Sequence, residues 1–320
     1  MENHPLVLLY RRPEFNLPIK DRLSSHFPLL DSADSQNSIS SFLSAYAHSV
    51  RVLIGASWLP ITSEILGLLP SLELIVENSA GLDHVDLQDC RRRGITVTNA
   101  SLAFAEDVAD LAVALLIDVL RRISSADRFV RAGSWLMEVD YPLGFKLGGK
   151  RVGIVGFGSI GSKIAKRLIS FGCKIAYNSR TKKPSAPYQY YTSVNDLAAD
   201  SNILILACSL TEQTRHIINQ GVLTALGQDG VIINVGRGGL IDEKVLVEFL
   251  MQGKIGGAGL DVFENEPHVP KELFSLQNVV FSPHRGALTP ESLDAVIELT
   301  VANVEAFFSN EPLKSVVQLE

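Results

Sequence analysis

Short continuous apolar runs alternate with helical patterns along almost the whole chain. Continuous apolar strands that are separated by helices are typical of parallel sheets buried on both faces. The pattern therefore predicts an α/β protein. The predicted strands occupy residues 6–10, 50–57, 72–79, 95–100, 151–156, 174–178, 203–209, 231–236, 257–262 and 279–284.

Two long helical patterns indicate where the chain divides. Residues 105–133 form a single predicted helix that has apolar positions on several faces and ends at Gly133. Residues 289–310 form an amphipathic pattern, with Thr289 as the expected N-cap and Pro290 at the first helical position. These patterns predict a discontinuous first domain with a second domain inserted into it.

The length of the chain agrees with this division. A chain of 320 residues suggests two domains, and 46% hydrophobic with 20% charged residues is ordinary for a globular enzyme. The first domain is predicted to comprise residues 1–101 and 285–320, and the inserted domain residues 102–284.

Charge and cysteine content exclude several classes of protein. The net charge of −6 provides no basic field for nucleic acid, and no apolar run approaches the ~18 residues of a membrane span. Cys90, Cys173 and Cys208 lie far apart without the spacing of a metal site or a disulfide framework. We therefore expect no metal, a reducing compartment and a cytoplasmic location.

A glycine motif follows the apolar strand 151–156 and opens an amphipathic helix. In the sequence GFGSIG, Gly156 permits a tight turn, Gly158 lets the backbone approach a pyrophosphate, and Gly161 lets the helix pack closely on its strand. The intervening Ser159 and Ile160 belong to the same predicted phosphate loop. The free N–H groups at the helix N-terminus would bind the phosphates, so this domain is predicted to bind a dinucleotide.

The end of the next strand carries positive charge where NAD-binding domains carry an acid. The sequence there is YNSRTKK, with Ser179, Arg180, Thr181 and Lys182 in the turn. A serine hydroxyl and a guanidinium can bind a 2′-phosphate, and no carboxylate is present to repel it. The turn predicts NADP(H) in preference to NAD(H), although a solvated basic turn would have the same composition.

Chemically competent residues follow the last three predicted strands. Arg237 and His284 each lie at or just after a strand end, while Asp261 and Glu266 come from the sequence GLDVFENEP. The carboxyl edge of a parallel sheet is where ligands bind. Taken singly, these residues would also fit a salt bridge, a strand-end cap and a histidine at a helix entry.

Seven motifs are spread between about residue 50 and residue 310: SAGLDHVDL, AEDVADLAVALL, LGGKRVGIVGFGSIG, SLTEQTRHIIN, INVGRGGLIDEKVL, GLDVFENEP and SPHRGALT. In these motifs the chain resembles the D-isomer-specific 2-hydroxyacid dehydrogenases. Two stretches, FAEDVADLAVALLIDVLRR and YNSRTKK, are similar to those of the NADPH-preferring glyoxylate/hydroxypyruvate reductases of plants. The resemblance implies two doubly wound parallel-sheet domains, a Rossmann dinucleotide-binding domain inserted into a flavodoxin-like substrate domain.

The resemblance makes Arg237, Glu266 and His284 the catalytic triad. Arg237 would pair with the carboxylate of a small 2-keto acid and polarise its ketone. His284, as an imidazolium, would give the ketone oxygen a proton, and Glu266 would orient the imidazole and hold that proton. The implied reaction is NADPH-dependent reduction of glyoxylate or hydroxypyruvate to a 2-hydroxy acid.

Further contacts follow from the same resemblance. The backbone N–H groups of Ser79, Ala80 and Gly81 would bind the substrate carboxylate, and Trp58 would face the substrate side chain. Arg285 stands where the family often has a small apolar residue, which bears on the choice of substrate. The residues implied to line the cofactor are Cys208, Ser209, Leu210, Thr214, Val235, Gly236, Arg237, Asp261, His284 and Gly286.

Two other functions remain open from the sequence. The substrate would be another 2-keto acid, such as 4-hydroxyphenylpyruvate, or the chain would be an NAD(P)-sensing binding protein that keeps the fold. Formate dehydrogenases share the fold, but their pattern lacks the glutamate found here as Glu266.

The apolar pattern of 105–133, continued by Trp135, Met137 and Tyr141, predicts a homodimer built by the inserted domain.

Overall fold

The structure of the protein is a computed structural model that describes residues 6–13, 19–36, 38–56, 59–137 and 140–318. Trp58, predicted to face the substrate, lies outside the described residues. The chain forms two compact units, one of Met1–Phe104 with Thr289–Glu320 and the other of Ala105–Leu288. These boundaries fall three and four residues after the predicted ones.

The first unit contains a five-stranded parallel sheet. Its strand order is β2-β1-β3-β4-β5, which is the flavodoxin-like order that the resemblance implied. The strands are β1 (Leu6–Tyr10), β2 (Leu29–Asp31), β3 (Val50–Gly55), β4 (Leu74–Glu77) and β5 (Thr96–Thr98).

Both faces of this sheet are buried, and successive side chains of each strand alternate between the two faces. Leu8, Leu53 and Ile75 belong to the core cluster on one face, and Val52 and Leu74 to the cluster on the other. The helices of the unit are α1 (Ile19–Ser24), α2 (Ile39–Ala45), α3 (Ser63–Gly67), α4 (Leu87–Arg93) and α11 (Pro290–Ser309).

The second unit contains a seven-stranded parallel sheet in the order β12-β11-β10-β9-β6-β7-β8. This is a Rossmann sheet, and its strand order reverses between β6 and β9, where such sheets bind their ligands. The strands are β6 (Arg151–Val155), β7 (Lys174–Asn178), β8 (Gln189–Tyr191), β9 (Ile203–Leu206), β10 (Val231–Asn234), β11 (Gly257–Leu260) and β12 (Val279–Phe281).

Helices cover this second sheet and bury its central strands. Leu204, Ile232 and Ala258 of neighbouring strands are fully buried in one core cluster with Leu246 and Leu250. In the described ranges no helix combines the length and the apolar character that would let it cross a membrane. The helices are α5 (Ser101–Arg121), α6 (Ile123–Arg131), α7 (Ser159–Ser170), α8 (Val194–Ala199), α9 (Gln220–Leu226) and α10 (Glu243–Met251).

The prediction of one continuous helix over 105–133 is wrong. The helix breaks at Arg122, whose φ of 55° lies in the left-handed region, so α5 and α6 are separate. The side chain of Asp118 accepts the N–H of Ser124 at 2.8 Å, and the carbonyl of Leu120 accepts the N–H of Phe145 at 2.7 Å. These contacts satisfy backbone groups that the break releases. The helical spacing of apolar residues continues across the break and does not reveal it.

The helix predicted over 289–310 is confirmed. Thr289 caps it by accepting the N–H of Ser292 at 3.0 Å, and Pro290 is its first residue. Two strands, β2 and β8, have no counterpart among the predictions because neither lies in a continuous apolar run, the first ending in Asp31 and the second beginning with Gln189.

Candidate active site

The glycine loop lies at the point where the order of the second sheet reverses. Gly156 directly follows β6 and has a φ of 95°, and a Cβ there would lie 2.4 Å from the backbone nitrogen of Cys208, which follows β9. A Cβ at Gly161 would lie 2.1 Å from the carbonyl oxygen of Gly156. Both positions therefore require glycine, the first for its backbone conformation and the second for close helix packing.

Gly158 leaves open space in front of helix α7. A Cβ added at Gly158 would meet no described atom within 4 Å, and no side chain caps the helix that begins at Ser159. The first N–H groups of α7, near Ser159 and Ile160, therefore face a gap that would admit a pyrophosphate. On these grounds the loop fits a dinucleotide.

Two tyrosines hold the basic turn after β7. The Tyr177 hydroxyl accepts the N–H of Lys183 at 2.8 Å, and the Tyr190 hydroxyl donates to the carbonyl of Ser179 at 3.2 Å. The side chains of Arg180 and Lys182 are exposed in this turn. The role of these tyrosines was not predicted from the sequence. A signal was present, because three tyrosines cluster in YQYY at residues 188–191 and another lies near the end of β7.

The hydroxyl of Ser179 is engaged within the same turn. It donates to the carbonyl of Thr181 at 2.7 Å. The hydroxyl must therefore rotate before it can donate to a 2′-phosphate, which is the role that the sequence predicts for it. A hydroxyl rotates readily and keeps its acceptor lone pairs in the meantime. The exposed Arg180 is the stronger candidate for a 2′-phosphate.

The loop after β9 is held by its own threonines. Thr214 Oγ1 donates to the carbonyl of Ser209 at 2.8 Å and accepts the N–H of Thr211 at 2.7 Å. Burial raises the pKa of Cys208 to about 11, so its thiol stays protonated at neutral pH. Leu210 lies in the same loop, 3.2 Å from the Cβ position of Gly239. Residues 208–211, the part of the loop that begins beside Gly156, therefore carry no charge.

Arg237 follows β10 in a turn that a buried asparagine fixes. Asn234 is fully buried, donates to the carbonyl of Arg237 at 2.9 Å and accepts the N–H of Gly236 at 3.1 Å. Arg237 in turn donates from Nη1 to the carbonyl of Gly236 at 2.9 Å. Val235, also buried, lies within this turn. Sequence reasoning missed Asn234, whose signal is a polar residue that ends an apolar strand.

Glu266 and His284 form a hydrogen-bonded pair. Nδ1 of His284 lies 2.8 Å from Oε2 of Glu266, and the other carboxylate oxygen accepts the N–H of Phe263 at 3.0 Å. Burial acts to raise the pKa of Glu266, but the hydrogen bonds from His284 and Phe263, with the charges of His284 and Arg237, outweigh it and hold the pKa below its ordinary value. Glu266 is therefore a carboxylate at neutral pH.

The backbone at His284 is held in an uncommon conformation by Asp261. His284 has a φ of 54°, and its N–H donates to the carbonyl of Asp261 at 2.8 Å. The buried carboxylate of Asp261 accepts the N–H groups of Arg285 at 2.8 Å and Gly286 at 3.0 Å. The described contacts of Asp261 are thus those of a strand-end cap that aims His284, while its predicted contact with a nicotinamide stays a prediction.

The loop predicted to bind a carboxylate lies in the first unit. Its carbonyls are all engaged: Ala100 N–H donates to Ser79 O at 2.9 Å, Asn99 Nδ2 to Ala80 O at 3.3 Å, and Ser79 Oγ to Gly81 O at 2.6 Å. No described residue accepts the N–H groups of Ser79, Ala80 and Gly81. A run of backbone N–H groups with this freedom suits an anion.

Comparison with known proteins agrees with these observations. The family model of the D-isomer specific 2-hydroxyacid dehydrogenase, NAD binding domain, matches residues 113–286. The chain belongs to the D-isomer-specific 2-hydroxyacid dehydrogenase family. The predicted family and the predicted nicotinamide cofactor are thereby confirmed, and the protein is an oxidoreductase.

The relatives cover nearly the whole chain. Glyoxylate/hydroxypyruvate reductase HPR3 of Arabidopsis thaliana is 55% identical over 317 residues, which is 99% of this chain and 98% of the relative. Hydroxyphenylpyruvate reductase of Plectranthus scutellarioides is 49% identical over 272 residues, 85% of this chain and 87% of the relative. The crystal structure of the NADPH-dependent glyoxylate/hydroxypyruvate reductase of Sinorhizobium meliloti, in complex with NADP and malonate, has a TM-score of 0.89 and 35% identity, and the match covers 99% and 97% of the two chains.

Proposed function

We propose that the protein is an NADPH-dependent reductase of small 2-keto acids, with glyoxylate and hydroxypyruvate as substrates. The main support is the Glu266–His284 pair at 2.8 Å, which lies in the same unit as Arg237. Relatives that are 55% and 46% identical are glyoxylate/hydroxypyruvate reductases, which supports the choice of substrates.

The triad residues have distinct roles in this reaction. Arg237 binds the keto acid carboxylate and polarises the ketone oxygen with its guanidinium. His284 donates a proton from Nε2 to that oxygen, because its Nδ1 is engaged with Glu266. Glu266 orients the ring and stabilises the imidazolium by its negative charge. Bound NADPH supplies the hydride.

We assign the dinucleotide to the second unit and carboxylate binding by backbone N–H groups to the first. The glycine loop 156–161 would hold the pyrophosphate, and Ser179 with Arg180 would hold the 2′-phosphate. The loop 208–214 and the turn at Val235 would line the remainder of the cofactor. We also propose a cytosolic location, supported by three free cysteines, two of them buried; a fluorescent fusion that accumulates in another compartment would contradict it.

A panel of 2-keto acids, each assayed with NADPH and with NADH, tests the proposal. We expect glyoxylate and hydroxypyruvate with NADPH to give the highest kcat/KM. The second candidate substrate is 4-hydroxyphenylpyruvate, because a hydroxyphenylpyruvate reductase is 49% identical to this chain. A protein that binds NADPH but reduces no member of the panel would instead be a binding protein that keeps the fold.

Arg180→Ala is expected to raise the KM for NADPH by about 10- to 150-fold, because a charge-assisted pair contributes roughly 1.5–3 kcal/mol. The KM for NADH should change little, since NADH has no 2′-phosphate. Steady-state kinetics with both cofactors measure the split, and Lys271→Ala, an exposed cation elsewhere in the unit, serves as the control. Equal use of NADH and NADPH by the wild-type protein would contradict the prediction.

Glu266→Gln is expected to change the pH dependence of the reduction. The glutamine keeps the shape but removes the carboxylate charge that favours the charged form of the proton donor. The rate should therefore fail at lower pH on the alkaline side. On the acidic side, protonation of Glu266 breaks its pair with His284 in the wild-type protein as pH falls through the lowered pKa of Glu266. The variant has no carboxylate at this position, so its pH–rate profile should lack this acidic fall. A profile that is only scaled down, without a shift, would show that Glu266 is not the partner of His284.

We propose that a second copy of the chain covers an apolar surface of the second unit. Leu136, Met137 and Leu143 are 92%, 86% and 91% exposed, and Phe145 lies with Leu143 in an apolar groove of about 560 Å³. Exposed apolar area of this kind marks an interface. Light scattering should give a dimer of the 34.9 kDa chain at micromolar concentration, and Leu143→Asp should shift it towards monomer. Met251→Glu, at an exposed apolar residue of α10, is the control, and a monomeric wild-type protein would contradict the proposal.

A further inference from the structure

A second histidine–glutamate pair lies beside the first. Nε2 of His216 is 2.7 Å from Oε1 of Glu264, two residues before Glu266. Residues 263–266, the glutamate loop, thus carry the carboxylates of both pairs. His216 has a φ of 51°, and its N–H donates to the carbonyl of Gly239 at 2.9 Å, so its backbone is fixed to the turn that follows Arg237.

A third carboxylate holds the backbone of the glutamate loop. Oε2 of Glu243, the first residue of α10, accepts the N–H of Glu264 at 3.0 Å. Burial raises the pKa of Glu243, and the negative charges of Glu264 and Glu266 act in the same direction, while the hydrogen bond from Glu264 acts against them. A half-buried carboxylate near two others is destabilised by its surroundings, and the hydrogen bond from the N–H of Glu264 compensates part of that cost.

The same peptide group is pressed against Gly238. A Cβ at Gly238 would lie 1.9 Å from the carbonyl carbon of Phe263 and 2.3 Å from the nitrogen of Glu264. The peptide that joins Phe263 to Glu264 is therefore in contact with the residue that follows Arg237. The N–H of Phe263, in the preceding peptide group, donates to Glu266, so a shift of residue 263 would also displace the Glu266 carboxylate relative to His284.

We propose that Glu243, Glu264 and His216 are positioning residues that fix Glu266 against His284. The inference rests on the proposed function and deepens it. The side chain of Glu266 is 33% exposed, so contacts of its own side chain alone do not determine where it lies. Glu243 and Gly238 fix the backbone of the glutamate loop, and His216 fixes the loop through Glu264. None of the three touches the reacting atoms.

Several charged groups of the second unit act on these residues. His284 and Arg237 act on Glu266, and Glu264 and Glu266 act on Glu243. Besides His216, Glu264 faces the Arg215 guanidinium, whose Nη1 is 3.7 Å from Oε1. A variant that removes both the Glu243 hydrogen bond and its charge therefore has to be compared with one that removes only the charge.

The test compares Glu243→Ala with Glu243→Gln. Loss of one hydrogen bond should lower kcat by about 3- to 10-fold in the alanine variant and leave the KM for NADPH unchanged. Glutamine keeps an amide oxygen that can accept the N–H of Glu264, so it should recover most of the loss. Glu248→Ala, exposed on the same helix, is the matched control. Equal losses in the two Glu243 variants would overturn the role of the hydrogen bond.

A double-mutant cycle separates positioning from general damage. If Glu243 acts through Glu266, then Glu243→Ala in the Glu266→Gln background should lower kcat no further than Glu266→Gln alone. A loss that multiplies would show that Glu243 acts by another route, and it would overturn the inference. Asparagine suits the left-handed backbone at residue 216, so His216→Asn removes only the contact of His216 with Glu264. It should lower kcat in the same range as Glu243→Ala and show the same lack of additivity with Glu266→Gln.

An NMR spectrum of the His284 ring tests the inference without any substrate. The Nδ1 proton shared with Glu266 should give a downfield signal in the wild-type protein, and Glu243→Ala should weaken that signal, while Glu243→Gln and Glu248→Ala should match the wild type. An unchanged signal in both Glu243→Ala and His216→Asn would overturn the inference, whatever the keto acid panel shows. If no keto acid is reduced but the signal is weakened, the proposed function fails and the positioning role stands.

Discussion

His284→Ala is expected to lower kcat for keto acid reduction by about 10²–10⁴-fold, the usual scale for loss of a general acid. The imidazole is paired with Glu266 through Nδ1, which leaves Nε2 as the proton donor. No other group of the triad can replace it, because Glu266 is a carboxylate with a lowered pKa and an arginine guanidinium acts as a hydrogen-bond donor rather than as an acid.

The same variant should bind NADPH with little change in affinity. His284 acts on the ketone oxygen and takes no part in holding the phosphates, which are assigned to the glycine loop and Arg180. Single-turnover kinetics measure the chemical step, and fluorescence titration measures NADPH binding. His48→Ala removes an exposed histidine of the first unit and is the control. A His284→Ala variant that retains kcat but loses NADPH would assign the histidine to cofactor binding instead.

The sheet architecture could be predicted because each central strand is a continuous apolar run. Leu204 and Ile232, for example, lie in runs that are buried on both faces, which only a covered parallel sheet provides. The positions of Arg237 and His284 followed from the same pattern, since both come after a predicted strand and the carboxyl ends of parallel strands share one edge. Glu266 could be placed only by resemblance, because it lies in a loop without any periodic pattern.

The features that escaped prediction are set by tertiary contacts rather than by local pattern. The break at Arg122 depends on Asp118 and on the carbonyl of Leu120, which a distant residue satisfies. The left-handed backbone of His284 depends on Asp261, 23 positions earlier in the chain and adjacent only in the folded sheet. Sequence patterns report neighbours along the chain, so they do not report contacts of this kind.

Arg237→Ala is expected to have the largest effect, a fall in kcat/KM of about 10³–10⁵-fold. Loss of the charge-assisted pair with the keto acid carboxylate should raise KM by roughly 10- to 150-fold. Loss of the donor that polarises the ketone should lower kcat by roughly 10²–10³-fold, the scale for one group that stabilises a developing oxyanion. KM and kcat should therefore change together.

Arg237→Lys distinguishes charge from geometry at this position. In the structure the guanidinium is oriented by its own donation to the carbonyl of Gly236, within the turn that Asn234 holds. Lysine keeps the positive charge but cannot offer two parallel donors, so its loss should lie between those of the wild-type protein and the alanine variant. Steady-state kinetics with the preferred keto acid measure all three proteins. A rise in KM with an unchanged kcat in Arg237→Ala would show that Arg237 binds the carboxylate equally in the ground state and the transition state, and the ketone would then be polarised by another group.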